Sequence, residues 1–176
     1  MEVSRIRALR GPNLWSRHTS IEAVVSCTDQ ECKIDSIDGF ESRLRERFPE
    51  IGLLQLMGHS GPVAMAHVLQ VASLALQAQS GCPVTFSRTA TTPDSNVFQV
   101  VIEYSEEAVG RRALELAEQL CQSAVDDQPF DLAAAIAELK DLDEDVRLGP
   151  STGAIVEAAV ARGIARKRVC LGEQLR

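Results

Sequence analysis

Positive charge, aromatic residues and long apolar runs are all scarce in this 176-residue sequence. Lys and Arg number 18 against 25 Asp and Glu, the formal net charge is −7, and aromatic residues make up 4% of the chain. An acidic protein of this kind lacks the basic footprint of a general nucleic-acid binder. No apolar run reaches membrane-spanning length free of charged or turn-forming residues, and residues 1–5 contain no signal-peptide core. We therefore expect no nucleic-acid partner, no membrane partner and a cytoplasmic location.

Cysteine is too sparse and too irregularly spaced for a disulfide framework or a zinc knuckle. The count is odd and no pair has C-x-x-C spacing, which favours reduced thiols. The five are Cys27, Cys32, Cys82, Cys121 and Cys170.

Motifs for phosphate binding and nucleophilic catalysis are also missing. The segment 58–61, Gly-His-Ser-Gly, is shorter than a P-loop and has no following Lys, and no G-x-S-x-G string occurs. Residues 149–153 can hold an anion on their amides ahead of a helix, although helix capping explains them equally well. The isolated chain is therefore predicted to be non-catalytic.

The sequence does contain one long apolar stretch, residues 62–81, around which the rest is organised. Ser60 can cap it, Pro62 suits a first helical turn, and Gly81 can end it. A helix with apolar residues on nearly every face is usually buried. We expect this segment to be the central core helix.

This helix also raises the possibility of a metal site. A zinc-binding His-x-x-Glu-His helix places two imidazoles on one face and supplies a carboxylate to activate water. Here the same spacing reads His67, Gln70 and Val71, so only the first ligand is present. A site built from His59, His67 and one glutamate is the alternative; the candidate glutamates are Glu103, Glu106 and Glu107. A hydrogen-bonded core histidine is the favoured interpretation.

Strand-like patterns come early and helical patterns late, which favours an α+β fold with an antiparallel sheet packed against helices. Asp38 with Glu41 resembles a capping box at the start of a short amphipathic helix, and Ser105 is placed to cap another helix. The predicted strands are 3–9, 21–27, 53–57, 83–87, 97–104 and 169–171, with a polar turn at 89–96. The predicted helices after the core helix are 105–125, 131–142 and 151–163, the last capped by Ser151 and ended by Gly163. We divide the chain into a core at 1–125, a smaller C-terminal helical lobe at 126–163 and a linker at 164–176.

A basic and aromatic cluster near the N-terminus is the most suggestive surface feature. Arginine binds carboxylates with two parallel hydrogen bonds, so a local arginine patch in an acidic protein indicates an anionic partner. A solvated edge strand protected by its charges is an equally good interpretation. The cluster comprises Arg5, Arg7, Arg10, Trp15, Arg17 and His18, together with Arg88.

Four strings give the chain a family resemblance. It is similar over nearly its whole length to the N-terminal domain of cyanophycin synthetases. The strings are Arg-Ala-Leu-Arg-Gly-Pro-Asn-Leu-Trp-Ser at 7–16, Gly-Cys-Pro-Val-Thr-Phe-Ser-Arg-Thr at 81–89, Phe-Gln-Val-Val-Ile-Glu-Tyr at 98–104 and Leu-Gly-Pro-Ser-Thr at 148–152.

The resemblance implies a domain that binds and tethers cyanophycin, a polyaspartate with arginine on each β-carboxyl. Each unit of this nitrogen-storage polymer carries a guanidinium and a free carboxylate, so a partner surface needs both signs of charge. The candidate carboxylate-binding residues are Arg7, Arg10, Arg17 and Arg88; the candidate guanidinium-binding residues are Glu103, Glu106 and Glu107.

The resemblance also implies further domains in a longer parent chain. An ATP-grasp domain adds aspartate and a Mur-ligase-like domain adds arginine, so ATP and Mg²⁺ are expected there and no cofactor is expected in this chain. The linker at 164–176 would lead toward the ATP-grasp domain, and the parent is expected to be a homo-oligomer. Some relatives carry a zinc-dependent hydrolase in this domain that cuts polymer into primers; Gln70 and Val71 depart from its His-x-x-Glu-His helix. A primer-cutting hydrolase and a purely structural packing module are the alternatives to polymer binding.

Overall fold

A computed structural model describes residues 1–51 and 63–146 of the chain, together with residues 155, 158, 159 and 162. The chain divides into two units, Met1–Asp145 and Val146–Arg176. In the second unit the described residues 155, 158 and 159 are helical. Everything that follows concerns the first unit.

The first unit contains one four-stranded sheet. Its strands are β1 (Glu2–Leu9), β2 (Ser20–Ser26), β3 (Ser87–Thr91) and β4 (Val97–Glu103). The order across the sheet is β1-β2-β4-β3, and every neighbouring pair is antiparallel. The predicted strands 3–9, 21–27 and 97–104 are confirmed, as is the α+β class.

Four helices accompany the sheet. They are α1 (Phe40–Arg47), α2 (Met65–Gln79), α3 (Glu107–Val125) and α4 (Leu132–Val146). None of the helices described by the structure is long and apolar enough to cross a membrane.

The core lies between one face of the sheet and helices α2 and α3. Ile21, Ala23 and Val25 of β2 alternate into this face and are almost fully buried. Helix α3 reaches the sheet closely at Gly110, where an added Cβ would lie 3.3 Å from Ile21 Cγ1. The predicted apolar stripe of this helix is buried as expected: Val109, Ala113, Leu116, Ala117, Leu120, Cys121 and Ala124.

Helix α2 begins later than the sequence predicts. Its N-cap is Ala64, which is extended, so the helix does not start at residue 62. The His67 ring replaces a capping side chain, because its Nδ1 accepts a hydrogen bond from the Ala64 amide at 3.1 Å. Ser60 and Pro62 lie outside the described residues. Gly81 does follow the helix, with a left-handed φ of +98°.

Three other elements begin differently from the prediction. Helix α1 has Gly39, in the left-handed region at φ +66°, as its N-cap, so Asp38 does not form a capping box. Helix α3 has Glu106 as its N-cap without a side-chain bond, and the buried Ser105 hydroxyl has no hydrogen-bond partner among the described residues.

The third correction concerns β3. The predicted strand at 83–87 is wrong because β3 spans Ser87–Thr91, within a stretch predicted as a turn. The Thr85 and Phe86 amides donate hydrogen bonds to the side-chain carboxylate of Glu103, which holds the two residues ahead of β3 in place. The two β-branched threonines at 89 and 91 suit the strand that follows.

Helix α4 begins where the sequence predicts. Asp131 Oδ1 accepts a hydrogen bond from the Ala134 amide at 2.9 Å, as an N-cap does. The helix continues to Val146, four residues past its predicted end at Leu142. The predicted strands 53–57 and 169–171, and the residues Ser151 and Gly163, lie outside the described residues.

Candidate binding face of the sheet

The sheet face opposite α2 and α3 carries charged side chains. A β-bulge in β1 determines which residues of that strand lie on this face. The strand register shifts between Ser4 and Arg7, with Arg5 in the left-handed region at φ +50°. Because one residue is accommodated in the bulge, Ser4 pairs with Val24 and Arg7 pairs with Glu22. The bulge thus places Arg7 on the same face as Glu22.

One row of paired residues crosses all four strands on this face. Arg7 pairs with Glu22, Glu22 with Val101, and Val101 with Arg88. The two arginines at the ends of the row are exposed, whereas Glu22 and Val101 are buried. We call the face defined by Arg7, Glu22, Arg88, Gln99 and Glu103 the charged face.

Glu22 is the central anion of the charged face, although its side chain is only 4% exposed. Its carboxylate forms an ion pair with Arg7 and accepts hydrogen bonds from Trp15 Nε1, at 3.0 Å, and from Gln99 Nε2. Sequence reasoning missed Glu22. The available signal was a carboxylate within the otherwise apolar alternation of β2.

Trp15 lies in the loop between β1 and β2 and contacts both an anion and a cation of the charged face. Arg88 Cζ lies 5.8 Å from the centre of its ring, within cation–π range, while its indole nitrogen donates to Glu22. Asn13 holds the loop in shape, because its Oδ1 accepts from the amides of Trp15 and Ser16 at 2.9 and 3.0 Å. The half-buried Trp15 therefore connects Glu22 of β2 with Arg88 of β3.

Glu103 lies at one end of the charged face and is 7% exposed. Its Oε2 accepts from the amides of Thr85 and Phe86, both at 2.7 Å. Its Oε1 lies 3.0 Å from Nδ1 of the exposed His18. The carboxylate predicted to bind guanidinium groups is thus already occupied by the protein's own donors.

The remaining candidate residues fall into a second group at the start of α3. Glu107 accepts from Arg10 Nη2 at 3.3 Å and from Arg111 Nε at 3.0 Å. The hydrogen bond from Arg111, followed by that from Arg10, lowers the pKa of Glu107. Burial raises the pKa of the neighbouring Tyr104. The structure thus brings Arg10 and Glu107 together, but apart from the row of Arg7 and Arg88.

Arg17 and Glu106 complete the candidate set. Arg17 is exposed in the same loop as Trp15 and directly precedes His18, which reaches Glu103. Glu106 is half-buried at the N-cap of α3. In the sequence, Arg17 is thus next to a residue that pairs with Glu103, and Glu106 is next to Glu107.

Residues at and near the positions of a His-x-x-Glu-His motif form hydrogen bonds and packing contacts within the protein. Gln70 Nε2 donates to Ser87 Oγ at 2.9 Å, and Thr89 Oγ1 donates to Gln70 Oε1 at 2.6 Å. His67 accepts from an amide and packs edge-on against Phe98, with the ring centres 5.8 Å apart.

These residues do not fit a zinc site. Gln70 joins α2 to β3, and the buried Val71 offers no ligand atom. Within the residues that the structure describes, no three His, Cys, Asp or Glu side chains are grouped to hold a metal ion. His59, the other proposed ligand, lies outside those residues.

Comparisons with known proteins give the family context. A family model described as the cyanophycin synthase-like N-terminal domain matches residues 22–126. The chain is similar to proteins named cyanophycin synthetase: 38% identical over 180 residues to those of Trichormus variabilis and a Nostoc species, and 33% over 181 residues to that of Geminocystis herdmanii. Each match covers 93% of this chain and 20% of the relative. The chain therefore spans about a fifth of the length of these relatives, and the resemblance drawn from the sequence strings is confirmed.

Proposed function

Because this chain belongs to the family of cyanophycin synthase-like N-terminal domains, we propose that it binds the aspartate–arginine polymer and tethers it for the ligase domains of a longer parent chain. The polymer-binding surface is the charged face. Among the residues that the structure describes, no comparable arrangement supports either alternative, a zinc hydrolase or a packing module.

The row from Arg7 to Arg88 is the observation that carries this proposal. Two exposed arginines lie at opposite edges of the sheet, and the buried Glu22 between them keeps Arg7 and Trp15 in place. Adjacent strands are about 4.8 Å apart, so three intervals separate the two arginine backbones by roughly 14 Å. An extended chain covers about 3.5 Å per residue, so about four polymer units span the row.

With this spacing, both arginines can bind the same polymer chain. Each can grip a free carboxylate of the polymer with its guanidinium, and the second contact is made at the high effective concentration set by the first. Single contacts on an exposed face contribute only about 0.2–1 kcal/mol each. Binding therefore depends on oligomers long enough to reach both edges of the sheet.

Glu106 and Glu107 supply the opposite charge. Glu107 already accepts hydrogen bonds from two guanidinium groups, those of Arg10 and Arg111, so its carboxylate has the geometry that a polymer arginine requires. A polymer guanidinium displaces Arg10 from Glu107 and leaves Arg10 to bind a carboxylate. Glu103 serves chiefly to hold the 85–86 segment beside the charged face.

Titration with defined aspartate–arginine oligomers tests the proposal. Trp15 is the only tryptophan and contacts Arg88, so its fluorescence reports binding directly. We expect a rise in affinity between two and four polymer units, and a loss of roughly fivefold, about 1 kcal/mol, for Arg7→Gln or Arg88→Gln. Arg45→Gln removes the same charge from an arginine paired with Glu41 on α1 and is the matched control. Unchanged affinity in the Arg7→Gln/Arg88→Gln double variant would refute the proposed surface.

The ligation chemistry belongs, in this proposal, to other domains of the parent. ATP and Mg²⁺ act in its ATP-grasp and Mur-ligase-like domains, and the parent is a homo-oligomer that presents several polymer-binding domains together. This chain itself needs no cofactor. Incubating it with polymer and zinc separates tethering from primer cutting, because release of short fragments would establish the hydrolase instead.

A further inference from the structure

Two thiols lie in contact in the loop that follows β2, on the side of the sheet opposite the charged face. Cys27 continues the inward alternation of β2 two residues past Val25, so its side chain lies on the face covered by α2 and α3, where it is 8% exposed. Cys32 is half-buried. The Cys27 thiol donates a hydrogen bond to the Cys32 sulfur. The spacing of five residues does not match a C-x-x-C motif, so the sequence did not predict this contact.

Backbone hydrogen bonds at both ends hold this loop in shape. The Cys27 amide donates to the Asn96 carbonyl at 2.9 Å. The Cys32 amide donates to the Thr28 carbonyl at 3.1 Å, and the Glu31 carbonyl accepts from the first amide of α2 at 2.7 Å. A disulfide has an S–S bond of about 2.0 Å and Cβ atoms roughly 4 Å apart. Because the two thiols already touch, we expect rotation of the side chains to bring the sulfurs into bonding distance without opening the sheet.

The two thiols differ in their access to solvent and in their surroundings. The half-buried Cys32 is the thiol that a dissolved oxidant can reach. The sulfur of the buried Cys27 accepts a hydrogen bond from the Ala66 amide, in the first turn of α2. The N-terminal end of a helix stabilises negative charge on a cysteine sulfur. Cys32 is therefore placed to be oxidised first, and Cys27 is placed to attack it.

Burial keeps both thiols protonated near neutral pH. It raises the pKa of Cys27 to about 11, and it also raises the pKa of Cys32 above its ordinary value of 9.0. The thiolate is the reacting form of cysteine, and its fraction grows about tenfold per pH unit below the pKa. Slow oxidation that accelerates as pH rises is therefore the expected behaviour of this pair.

The other cysteines that the structure describes are not placed to react with a dissolved oxidant. Cys121 of α3 lies near Cys27 but is only 1% exposed, and burial raises the pKa of its thiol well above the ordinary value. Cys82 is also buried, and its sulfur lies 3.6 Å from Ser80 Oγ and 4.0 Å from Asp143 Oδ1. Among the described residues, the thiol partner of Cys27 that solvent reaches is therefore Cys32.

We propose that Cys27 and Cys32 close to a reversible disulfide when the chain meets a hydroperoxide, so that this loop is an oxidation-sensitive site. With hydrogen peroxide, the Cys32 thiolate attacks one peroxide oxygen and the O–O bond breaks. Cys32 becomes a sulfenic acid, and the departing hydroxide takes up the proton that Cys32 lost. The Cys27 sulfur then attacks the Cys32 sulfur, the S–O bond breaks, and a second water leaves with the Cys27 proton.

The balance of this reaction is two thiols and one hydrogen peroxide to one disulfide and two waters. The two sulfurs together supply the two electrons that the peroxide accepts, and a dithiol reductant reverses the closure by exchange. The thiol pair uses no residue of the charged face. Disulfide formation and polymer binding can therefore fail separately, and the proposal holds whether or not the chain binds a polymer.

Peptide mass mapping of the intact chain after treatment with hydrogen peroxide tests this proposal. Both cysteines lie in one tryptic peptide, residues 18–33, which has no internal Lys or Arg. After denaturation and alkylation, we expect this peptide to have lost two hydrogen atoms and to carry no alkyl group. Dithiothreitol is expected to restore both alkylatable thiols. Closure is expected to be about tenfold faster at pH 8 than at pH 7, in step with the thiolate fraction.

Two alanine variants separate the pair from the other thiols. In Cys27→Ala, Cys32 lacks its partner and is expected to proceed to sulfinic acid, which dithiothreitol does not reverse. Cys82→Ala is the matched control, because it removes a buried thiol outside the pair and is expected to leave the closure rate unchanged.

Three results would overturn the proposal. The first is two free thiols, or irreversible oxidation of Cys32, in the parent chain under conditions that oxidise Cys32 in Cys27→Ala. The second is a Cys32 that resists peroxide in that variant, since the thiol would then be out of reach of the oxidant. The third is a cross-linked peptide that joins either cysteine of the pair to Cys121 or Cys170.

Discussion

Replacing Glu22 by alanine is the sharpest test of how the charged face is held together. The substitution removes the acceptor of two hydrogen bonds, from Trp15 and Gln99, and the ion-pair partner of Arg7. The two donors are half-buried, so each lost hydrogen bond costs about 1 kcal/mol, the low end for an unsatisfied group. The Arg7 side chain is 67% exposed, and its pair adds no more than about 1 kcal/mol. The expected loss of stability is therefore about 2–3 kcal/mol.

Urea unfolding followed by circular dichroism measures this loss. With a slope of about 1–3 kcal/mol per molar urea, the midpoint is expected to fall by roughly 1 M. Glu22→Gln is the matched control: it keeps an acceptor oxygen for Trp15 and Gln99 and loses only the charge, so we expect a cost of roughly 1 kcal/mol. The emission of Trp15 is expected to shift in the alanine variant because the indole loses its acceptor.

A midpoint for Glu22→Ala within 0.2 M of the parent, at an unchanged slope, would contradict this reasoning, since 0.2 M is roughly a fifth of the expected shift. It would mean that Glu22 is replaceable and that Trp15 is positioned by its loop alone. Equal losses in the alanine and glutamine variants would assign the whole effect to the charge of Glu22 and none to its hydrogen bonds.

Substitutions at three further positions test the packing and electrostatics of the first unit. Gly110→Ala places a Cβ 2.6 Å from Tyr104 Cβ and 3.3 Å from Ile21 Cγ1. Because this overpacking outweighs the gain in helix propensity, we expect thermal unfolding to show a net loss of stability of about 1–2 kcal/mol. A higher melting temperature would contradict this. Arg5→Gly relieves a left-handed residue in the bulge and is expected to stabilise the chain by about 0.5–1 kcal/mol, whereas Arg5→Val is expected to destabilise it; equal urea midpoints for the two variants would exclude strain at this position. Burial raises the pKa of Glu118 above its ordinary value of 4.5, so the folded state binds this proton more tightly than the unfolded state and stability falls as pH rises through the raised pKa. Glu118→Gln is therefore expected to raise the melting temperature at pH 7 but not below about pH 4, and a gain independent of pH would contradict the electrostatic explanation.

Elements whose signal lies in contiguous residues were predictable. Strand β4 is rich in β-branched and aromatic residues with a period of two, and α3 carries an apolar stripe with a helical period. The type and the approximate range of each element therefore follow from its periodicity. The start of α2 was not predictable, since Ala64 is a poor cap and the imidazole of His67 substitutes for one. The predicted position of β3 was wrong because residues 85–86 do not form a strand. Their amides donate instead to the carboxylate of Glu103, sixteen residues beyond Ser87 in the sequence.

The candidate residues divide in the same way. The sequence alone indicated the family, the basic cluster near the N-terminus and the missing ligands at Gln70 and Val71, because each of these depends only on which residues occur in order. Tertiary structure decided that Glu22 joins Arg7 and Trp15, and that Arg88 lies over the indole ring. Strand order and the bulge at Arg5 fix that arrangement. A shift of one residue in register would turn these side chains to the opposite face, so only the assembled sheet determines which charges meet.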